Sequence, residues 1–356
     1  MNVINNDPAT RHPCSWTPIP QRDVRFWNSR LLQSDASIYQ YPLFNDTAHF
    51  PMFKPRYLVC TKDDREVAFA CINTFDLLGF KFGFVRDGPA SLVTGVRPGL
   101  DELQTLLDWA DDNRYTFLKL SNENQSVLSD LLVNRQSARV DPFPLFGSLS
   151  RHRHVVELTD DDSEMLSRFQ RIARRDIRNA SAAGFQIAST THAAALESYW
   201  PLVRKLERRK GFSYRRGLKS YKQMMQMAAD SNSARLFTVD FKGRPVNVVL
   251  VVRDRMTAHY LVGALDVDAL GDAPTPNTLV HWTAMREFRA MGVRRYSFFG
   301  GNPKSRVSVF KEKFNPIIED LPPPVNVILY PRRYKLFQHI YAAASRIRNK
   351  RPSLTL

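Results

Sequence analysis

Residues 246–301 carry the pattern that decides the fold of this chain: VNVVLVVRDRMTAHYLVGALDVDALGDAPTPNTLVHWTAMREFRAMGVRRYSFFGG. Two apolar, β-branched stretches, 246–253 and 257–265, predict neighbouring buried strands. A loop rich in Gly, Pro and Asp separates them from an amphipathic helix predicted at 277–291. A further strand is predicted at 295–299. Strands joined by an amphipathic helix indicate an α/β unit.

The first half of the chain has the same mixture of strands and helices. Apolar and aromatic stretches between turn residues predict strands, and a Leu/Ala stripe predicts a helix at 99–113. The 356 residues are enough for two domains. We place the boundary near 142–152, where DPFPLFGSLS contains two prolines and a glycine. The predicted fold class is therefore α/β with mixed sheets, in domains 1–150 and 151–330, followed by a basic C-terminal helix at 331–356.

The net charge of +16 comes entirely from the second half of the chain. Residues 1–150 hold 15 basic against 17 acidic side chains, whereas residues 151–356 hold 36 against 18. This asymmetry indicates that the second half meets an anionic partner, such as a phosphorylated cofactor, a nucleic acid or an anionic membrane. Taken singly, each basic side chain also fits a solvated helix face.

The remaining composition bounds the compartment and the cofactor class. Cys14, Cys60 and Cys71 form no CxxC and no Cys/His cluster, so we expect core thiols rather than a disulfide framework or a metal site. No secretory signal opens the sequence, and no apolar stretch approaches the roughly 20 residues that span a bilayer. We therefore expect a cytoplasmic protein, and leave open a peripheral contact with the inner face of the membrane.

Three segments of the second half are similar to the Fem-type peptidyltransferases and their acetyltransferase relatives in the GNAT superfamily. They are FQRIARRDIRNASAAGFQI at 169–187, NTLVHWTAMREFRAMGVRRYSFFGG at 277–301 and SVFKEKFN at 308–315. They resemble the basic helix, the helix–Gly–strand unit and the Phe-Lys element of that family, in the same order and spacing. The first half resembles the family more loosely, through FWNSRLLQ and FGFVRDGPA. The resemblance implies two tandem GNAT-like domains.

The resemblance also implies transfer of an acyl or aminoacyl group to an amine. The sequence has no GxSxG, catalytic Cys signature or metal motif, which fits direct transfer without a covalent nucleophile. The prediction is an N-acyltransferase that uses acyl-CoA, and no metal, to modify an amine of a cell-envelope or polysaccharide precursor. The long charged coiled-coil insertion of the best-known Fem enzymes is lacking, which favours acyl-CoA as the donor.

Two alternatives to this activity stay open. The first is a peptidyltransferase that takes amino acids from aminoacyl-tRNA and adds them to a peptidoglycan precursor. The second is a non-catalytic protein whose basic half binds nucleic acid or an anionic membrane.

The resemblance assigns the reaction to the end of the second domain. In related enzymes the Lys of the Phe-Lys pair acts in donor or transition-state stabilisation, so Lys311 is the predicted partner of the oxyanion. Tyr260, on the central strand, is the second candidate catalytic residue. Asn277 is predicted to cap its helix, and the free N–H groups there form the predicted donor site together with Thr278 and Phe310.

Basic and aromatic side chains earlier in the second half are the predicted contacts of the anionic substrate. Arg suits bidentate phosphate binding, and aromatic rings between basic residues are typical of sites for nucleic acid or sugar phosphate. The predicted substrate-binding residues are Arg174, Arg175, Arg178, Tyr214 and Arg216. Each also fits a solvated helix or loop. His259 and His281 receive no catalytic role, because a lone His is usually structural.

The C-terminal segment YPRRYKLFQHIYAAASRIRNKRP carries seven Lys/Arg and no acid between Arg332 and Arg351. Its apolar residues recur at helical spacing. The segment is therefore predicted either to dock on the protein with a basic rim or to lie on an anionic membrane surface. The predicted partners of the chain are a phosphorylated acyl donor (CoA or tRNA), an amine acceptor for which a lipid-linked precursor is one option, and an anionic membrane.

Overall fold

The computed structural model describes residues 14–48, 53–77, 79–121, 127, 130, 138–139, 152–214, 216–300 and 306–349. These residues form two mixed β-sheets with helices packed on their faces. The strands are β1 (Ser15–Pro18), β2 (Phe53–Lys62), β3 (Arg65–Leu77), β4 (Phe80–Arg86), β5 (Ala90–Ser91), β6 (Phe117–Ser121), β7 (Ala138–Arg139), β8 (His152–Glu157), β9 (Gln186–Thr190), β10 (Ala234–Phe241), β11 (Arg244–Arg253), β12 (Thr257–Leu265), β13 (Arg295–Ser297), β14 (Ile317–Asp320) and β15 (Val325–Ile328).

The described helices precede, connect or follow these strands. They are α1 (Trp27–Leu31), α2 (Pro42–Asn45), α3 (Leu100–Asp112), α4 (Asp162–Arg168), α5 (Arg171–Ala182), α6 (Ala195–Lys210), α7 (Leu218–Ala228), α8 (Asn277–Ala290), α9 (Arg306–Glu312) and α10 (Pro331–Asn349), with short 3-10 helices at Val24–Phe26 and Ile38–Gln40. The predicted α/β class and the predicted basic C-terminal helix are both confirmed.

Both sheets contain the same structural unit. In the first sheet β2, β3 and β4 are consecutive antiparallel strands, and α3 crosses over to β6, which pairs parallel to β4. In the second sheet β10, β11 and β12 are antiparallel, and α8 crosses over to β13, which pairs parallel to β12. In each sheet the parallel strand then pairs with an antiparallel strand from another part of the chain, β15 or β8. The two halves are therefore built alike, as the tandem prediction requires.

Each sheet is covered on both faces. The first has the order β1-β2-β3-β4-β6-β15-β7, and α3 buries Leu103, Leu106, Leu107 and Ala110 against it, as their helical spacing predicts. The second has the order β14-β8-β13-β12-β11-β10-β9. Helices α5 and α8 pack on one of its faces, and α6 and α7 pack on the other.

One apolar core joins the two halves of the chain. It combines the N-terminal helices and one face of β2 and β3 with α6, α7 and one face of β10–β12. Its fully or almost fully buried members include Leu31, Leu43, Phe69, Val203, Met224 and Leu250. Because this core is continuous, the site described below lies between elements that pack rigidly against each other.

The last strand corrects the sequence prediction. Val325–Tyr330 is predicted to end the second half, whereas β15 pairs with β6 and β7 of the first sheet. All of its residues are buried, and an apolar pattern predicts burial without specifying the sheet. The boundary predicted near 142–152 falls, apart from His152, outside the described residues.

Apolar residues at helical spacing predict one helix from about 163 to Ala183, but this segment forms two helices, α4 and α5. The chain turns extended at Phe169, whose buried ring packs edge-on against Phe314 at 5.3 Å between centroids. The N–H of Gln170 then donates to the carbonyl of Lys313 at 3.0 Å. The break therefore exchanges helical hydrogen bonds for a long-range contact, which helical periodicity does not predict.

Two further sequence expectations concern cysteines and the membrane. All three cysteines are buried free thiols. Within the described ranges, every helix is too short or too polar to cross a bilayer.

Candidate active site

The second sheet opens where β12 and β13 separate. They pair only from Thr257 opposite Arg295 to His259 opposite Ser297, although β12 continues for six more residues. A bulge in β12 places Val251 opposite Tyr260 but Leu250 opposite Val262, which bends the strand at this point. We call the residues around this opening the wedge site; they are Tyr260, Gly263, Phe298, Phe299, Gly300 and Lys311.

Lys311 reaches this opening from α9. Its side chain is buried, with the residue 3% exposed, and its ammonium donates to the carbonyl of Gly300 at 2.9 Å and of Phe299 at 3.3 Å. No described carboxylate pairs with it. Burial lowers the pKa of Lys311 to about 8. The pKa of neighbouring His154 is lowered too, first by its own burial and then by the Lys311 charge. Lys311 is therefore a buried cation with hydrogen-bonding capacity left for a ligand.

Phe299 shapes the turn that Lys311 binds. Its φ is +54°, a left-handed conformation that is uncommon for an aromatic residue and marks local backbone strain. Its ring stacks on His259 at 5.2 Å and also lies 6.0 Å from the Tyr39 ring of the first half. Phe299 thus links both halves of the chain to the Lys311 ammonium.

Tyr260 stands on β12 beside the opening. Its ring meets His281 perpendicularly at 4.8 Å, and no described residue hydrogen-bonds its hydroxyl. Burial raises the pKa of Tyr260, so the phenol stays protonated and can donate a hydrogen bond. A Cβ at Gly263 would lie 2.8 Å from that hydroxyl and 2.9 Å from the Val248 carbonyl. Only glycine leaves this space free.

The start of α8 corrects the predicted N-cap and has the features of an anion-binding helix terminus. The N-cap is Pro276 rather than Asn277, because Asn277 is already helical and its Oδ1 accepts from Asn247 at 3.2 Å. No acid occupies the first turn, so the N–H groups and the helix dipole still favour an anion. Thr278 is buried next to them.

The remaining predicted donor residue, Phe310, joins α9 to α8. Its ring lies 5.5 Å from His281, one turn after Asn277. His281 is buried, its Nδ1 lies 2.8 Å from the Tyr296 hydroxyl, and burial lowers its pKa to about 3. A neutral histidine in this position is structural, as the sequence suggested. Lys311 and the α8 start are therefore connected through one layer of aromatic side chains.

Arg216 and Tyr214 lie near this opening, on the side of the first half. The Tyr214 hydroxyl donates to the Gly263 carbonyl at 3.3 Å. Arg216 donates to the Phe44 carbonyl at 2.7 Å and lies over the Phe44 ring, while its Nε is buried without a hydrogen-bond partner. Burial lowers the pKa of Arg216, and the nearby charge of Arg86 lowers it further. Tyr214 therefore contacts the wedge site, and Arg216 contacts the first half of the chain.

Arg86 is a site residue that the sequence analysis missed. Its guanidinium lies 3.5 Å from the centroid of the Tyr39 ring, in a cation–π contact. No described carboxylate pairs with Arg86 or Arg216, although both lie near Tyr39. In the sequence, Arg86 lies in the strand–turn FGFVRDGPA, which resembles the family loosely. Nothing in that pattern singles out the arginine as a binding residue.

The three arginines of α5 are not part of this cluster. Arg174, Arg175 and Arg178 are all exposed. Arg174 donates to the carbonyls of Ser167 and Phe169 at 3.0 and 2.9 Å. Arg175 lies 3.7 Å from Asp176. Within the described chain no hydrogen bond or ion pair joins them to Tyr214 or Arg216. Their assignment to the substrate stays a prediction.

His259 has a partner that the sequence did not reveal. Its Nε2 lies 2.8 Å from Asp254 Oδ2, which also accepts from the backbone N–H of Ile38 in the first half at 3.2 Å. The other oxygen of Asp254 accepts from the N–H groups of Met256 and Thr257. This carboxylate therefore holds His259, the β11–β12 turn and the first half in register. Among the described residues, no cluster of His, Cys, Asp and Glu suits a metal ion.

Comparison with known proteins shows what the region around this site is similar to. Residues 167–311 match the family model of the acetyltransferase (GNAT) domain. The structure is similar to the crystal structure of FemX, with a TM-score of 0.75 and 14% identity, over 90% of this chain and 99% of that chain. No curated protein sequence matches the chain.

Two further solved structures share the fold. One is the C-terminal domain of a putative lysylphosphatidylglycerol synthetase from Agrobacterium fabrum, with a TM-score of 0.55 and 12% identity, covering 86% of this chain and 91% of that chain. The other is a conserved protein of unknown function from Bacteroides thetaiotaomicron, with a TM-score of 0.57 and 11% identity, covering 88% and 99%. Residues 167–311 thus match the model of the acetyltransferase (GNAT) domain, within a chain that has the fold of FemX.

Proposed function

We propose that this chain is a transferase that moves an acyl or aminoacyl group from a phosphate-bearing donor to an amine, with the wedge site as its reaction centre. The observation that carries the proposal is Lys311, a buried ammonium held by the Phe299 and Gly300 carbonyls without a described carboxylate. Burying a cation without an anion is costly unless an anion or a developing negative charge uses it.

The chemistry needs few protein groups. The acceptor amine attacks the acyl carbonyl, and the new C–N bond forms as the carbonyl oxygen becomes an oxyanion. We assign its stabilisation to the Lys311 ammonium and, as a second donor, to the protonated Tyr260 hydroxyl. The intermediate then collapses, the C–S or C–O bond to the donor breaks, and the amine proton leaves to the departing group or to solvent.

The donor phosphate is assigned to the start of α8. Its first-turn N–H groups are free of helical partners and no acid lies in that turn, which begins with Asn277 and Thr278, while Phe310 packs on His281 one turn later. We favour acyl-CoA, because the chain has no long charged coiled-coil insertion. Aminoacyl-tRNA is the second candidate donor, favoured by exposed basic side chains outside the wedge site, Arg174, Arg175, Arg178, Arg208, Arg209 and Lys210.

The acceptor is assigned to the side of the first half. Arg86 and Arg216 place two guanidinium groups without described acid partners near Tyr39, and Phe299 connects Tyr39 to the Lys311 turn. Guanidinium groups favour phosphate or carboxylate. We therefore propose an amine acceptor that carries an anionic group, such as a phosphorylated cell-envelope or polysaccharide precursor.

A donor screen tests the proposal. Thermal unfolding is followed with acetyl-CoA, longer acyl-CoAs and charged tRNA, and bound species are identified by mass spectrometry. A donor that binds only the folded state raises the melting temperature as its concentration exceeds its Kd. We expect stabilisation by acyl-CoA and not by tRNA. Stabilisation by tRNA alone would favour the second donor, and stabilisation by neither would contradict the proposal.

The same proteins separate an enzyme from a non-catalytic binder. A binder of nucleic acid or anionic membrane loses affinity steeply with salt, and Lys311→Ala weakens it by no more than the loss of one charge. The proposed enzyme instead loses turnover far more than donor affinity in that variant.

A further inference from the structure

The C-terminal helix α10 has two apolar faces. The inner face packs on the first sheet: the Tyr334 ring lies 5.0 Å from Phe117, and the Phe337 ring lies 5.3 Å from Phe82. Tyr334 and Phe337 are buried. This contact fixes the orientation of the helix around Tyr334 and Phe337 and so decides which neighbouring residues face away from the protein.

The outer face is also apolar. Leu336 is 55% exposed and Ile340 is 45% exposed, and the two lie one turn apart on the part of the helix that the docked rings leave exposed. Exposed Ala343 continues this stripe by a further turn. A docked helix needs only one apolar face, so the second stripe is not explained by the packing of the protein itself.

Basic side chains border this stripe. Arg332, Arg333 and Lys335 are all exposed, and none of them pairs with a carboxylate among the described residues. The sequence has no Asp or Glu from residue 321 to residue 356, while seven Lys and Arg lie between Arg332 and Arg351. One exposed apolar residue elsewhere, Phe26, has charges of both signs close to it in the sequence. Phe26, which is 60% exposed, follows the Arg22–Asp23 pair on the chain.

We propose that the outer face of α10, defined by Leu336, Ile340, Arg332, Arg333 and Lys335, is a docking surface for an anionic lipid bilayer. A helix that lies in the plane of a membrane places its apolar stripe at the headgroup boundary and its basic flanks on anionic lipid. Cytoplasmic leaflets attract juxtamembrane basic residues by their negative surface potential. The uniform positive charge of this segment matches such a surface, whereas a soluble protein partner would have to supply an acidic patch and an apolar groove together.

This docking would hold the chain on the membrane by its first sheet, since α10 packs on that sheet and the wedge site belongs to the second. The inference concerns binding only and does not depend on the proposed transfer reaction. It can therefore be tested without a donor or an acceptor.

The test is co-sedimentation of the full chain with phospholipid vesicles. One set contains phosphatidylcholine alone, and the other adds about 30% phosphatidylglycerol at about 0.1 M salt, where surface charges are not fully screened. We expect binding to the anionic vesicles, weaker binding at high salt, and little binding to phosphatidylcholine. Equal binding to both sets, or to neither, would overturn the proposal.

Variants locate the surface. Leu336→Asp with Ile340→Asp should weaken binding to anionic vesicles at least about tenfold, because each side chain contributes burial energy at the interface. Replacing Arg332, Arg333 and Lys335 with Ser should remove most of the salt dependence. Phe26→Asp, an equally exposed apolar position on another surface, should leave binding unchanged.

Two further readouts keep these variants decisive. Thermal unfolding checks that each remains folded, which the exposure of every substituted side chain favours. Light scattering then reports the oligomeric state. If the wild type is a dimer that the Leu336/Ile340 double variant dissociates, and neither protein sediments with vesicles, the outer face binds a second copy and the proposal is wrong.

Discussion

The ammonium of Lys311 lies 2.9 Å from the carbonyl oxygen of Gly300, in a position that leaves the residue only 3% exposed. This contact ties α9 to the turn that ends the parallel strand β13. The turn is held in a left-handed conformation at Phe299, whose ring lies between His259 and Tyr39. A buried positive charge and a strained backbone residue therefore lie side by side at the opening of the second sheet. This arrangement has four consequences that can be measured.

The first consequence is a pH profile. The pKa of Lys311 is lowered to about 8, so its positive charge is present below that pH and is lost as the pH rises through it. Arginine keeps its charge over this range. We expect the ratio of wild-type to Lys311→Arg turnover to fall as the pH rises from about 7 to about 10, approaching tenfold per unit above pH 8. Both proteins share the ionisation of the acceptor amine, so the ratio removes it. A ratio that is flat with pH would contradict a charged Lys311.

The second consequence concerns Asp254, the carboxylate that joins the two halves. Asp254→Ala leaves the N–H of Ile38, the β11–β12 turn and His259 without their acceptor. We expect the free energy of unfolding to fall by about 2–4 kcal/mol in chemical denaturation, because buried donors lose hydrogen bonds to a charged group. Asp230→Ala, at an exposed position, is the matched control and should change stability by less than about 0.5 kcal/mol. Equal effects in both variants would rule out the proposed linking role.

The third consequence concerns the close approach at Gly263. A Cβ there would meet the Val248 carbonyl, a backbone atom that cannot rotate away, and the Tyr260 hydroxyl. We expect Gly263→Ala to lower the free energy of unfolding by about 1–3 kcal/mol and to reduce donor binding. Gly217 has nothing within 4 Å of its added Cβ and an extended backbone, so Gly217→Ala should lose only the N-cap preference for glycine, less than about 1 kcal/mol. A Gly263→Ala variant as stable and active as wild type would show that this space is not needed.

The fourth consequence separates the two groups of arginines. Arg86 and Arg216 lie near Tyr39 of the first half, whereas Arg178 is exposed on α5. We expect Arg86→Ala to raise the acceptor KM about tenfold or more without changing donor affinity, since one guanidinium–anion contact is lost. Arg178→Ala is the control and should leave acceptor KM unchanged. The reverse pattern would favour the arginines of α5, which the sequence analysis assigned to the substrate together with Tyr214 and Arg216.

Much of the fold could be predicted because its signals are local. The apolar runs of β10–β12, the α8 stripe and the glycine after it specify strands and a helix without knowledge of their partners. The assignment of β15 to the first sheet could not be predicted in this way. Neither could the break at Phe169, because it depends on a ring contact with Phe314 about 145 positions later in the chain.

The candidate site shows the same division. Lys311 was found because it follows Phe310 in a short segment that resembles a known family. Arg86, Asp254 and Phe299 were missed, since their importance lies in contacts between the two halves and in a backbone φ of +54°. The N-cap predicted at Asn277 is one position too late. A proline can also precede the first helical residue, and the side chain of Asn277 hydrogen-bonds Asn247 instead.

The most direct test of the central claim compares Lys311→Met with wild type in single turnover and in donor binding. Lys313→Met is the matched control, because Lys313 lies two residues away and its ammonium pairs with Asp176 at 2.9 Å. We expect Lys311→Met to lower the rate of transfer about a hundredfold or more while donor Kd changes less than about threefold, as for other losses of oxyanion stabilisation. Lys313→Met should transfer at close to the wild-type rate. Transfer by Lys311→Met at the wild-type rate would contradict the assignment of Lys311 to the reaction.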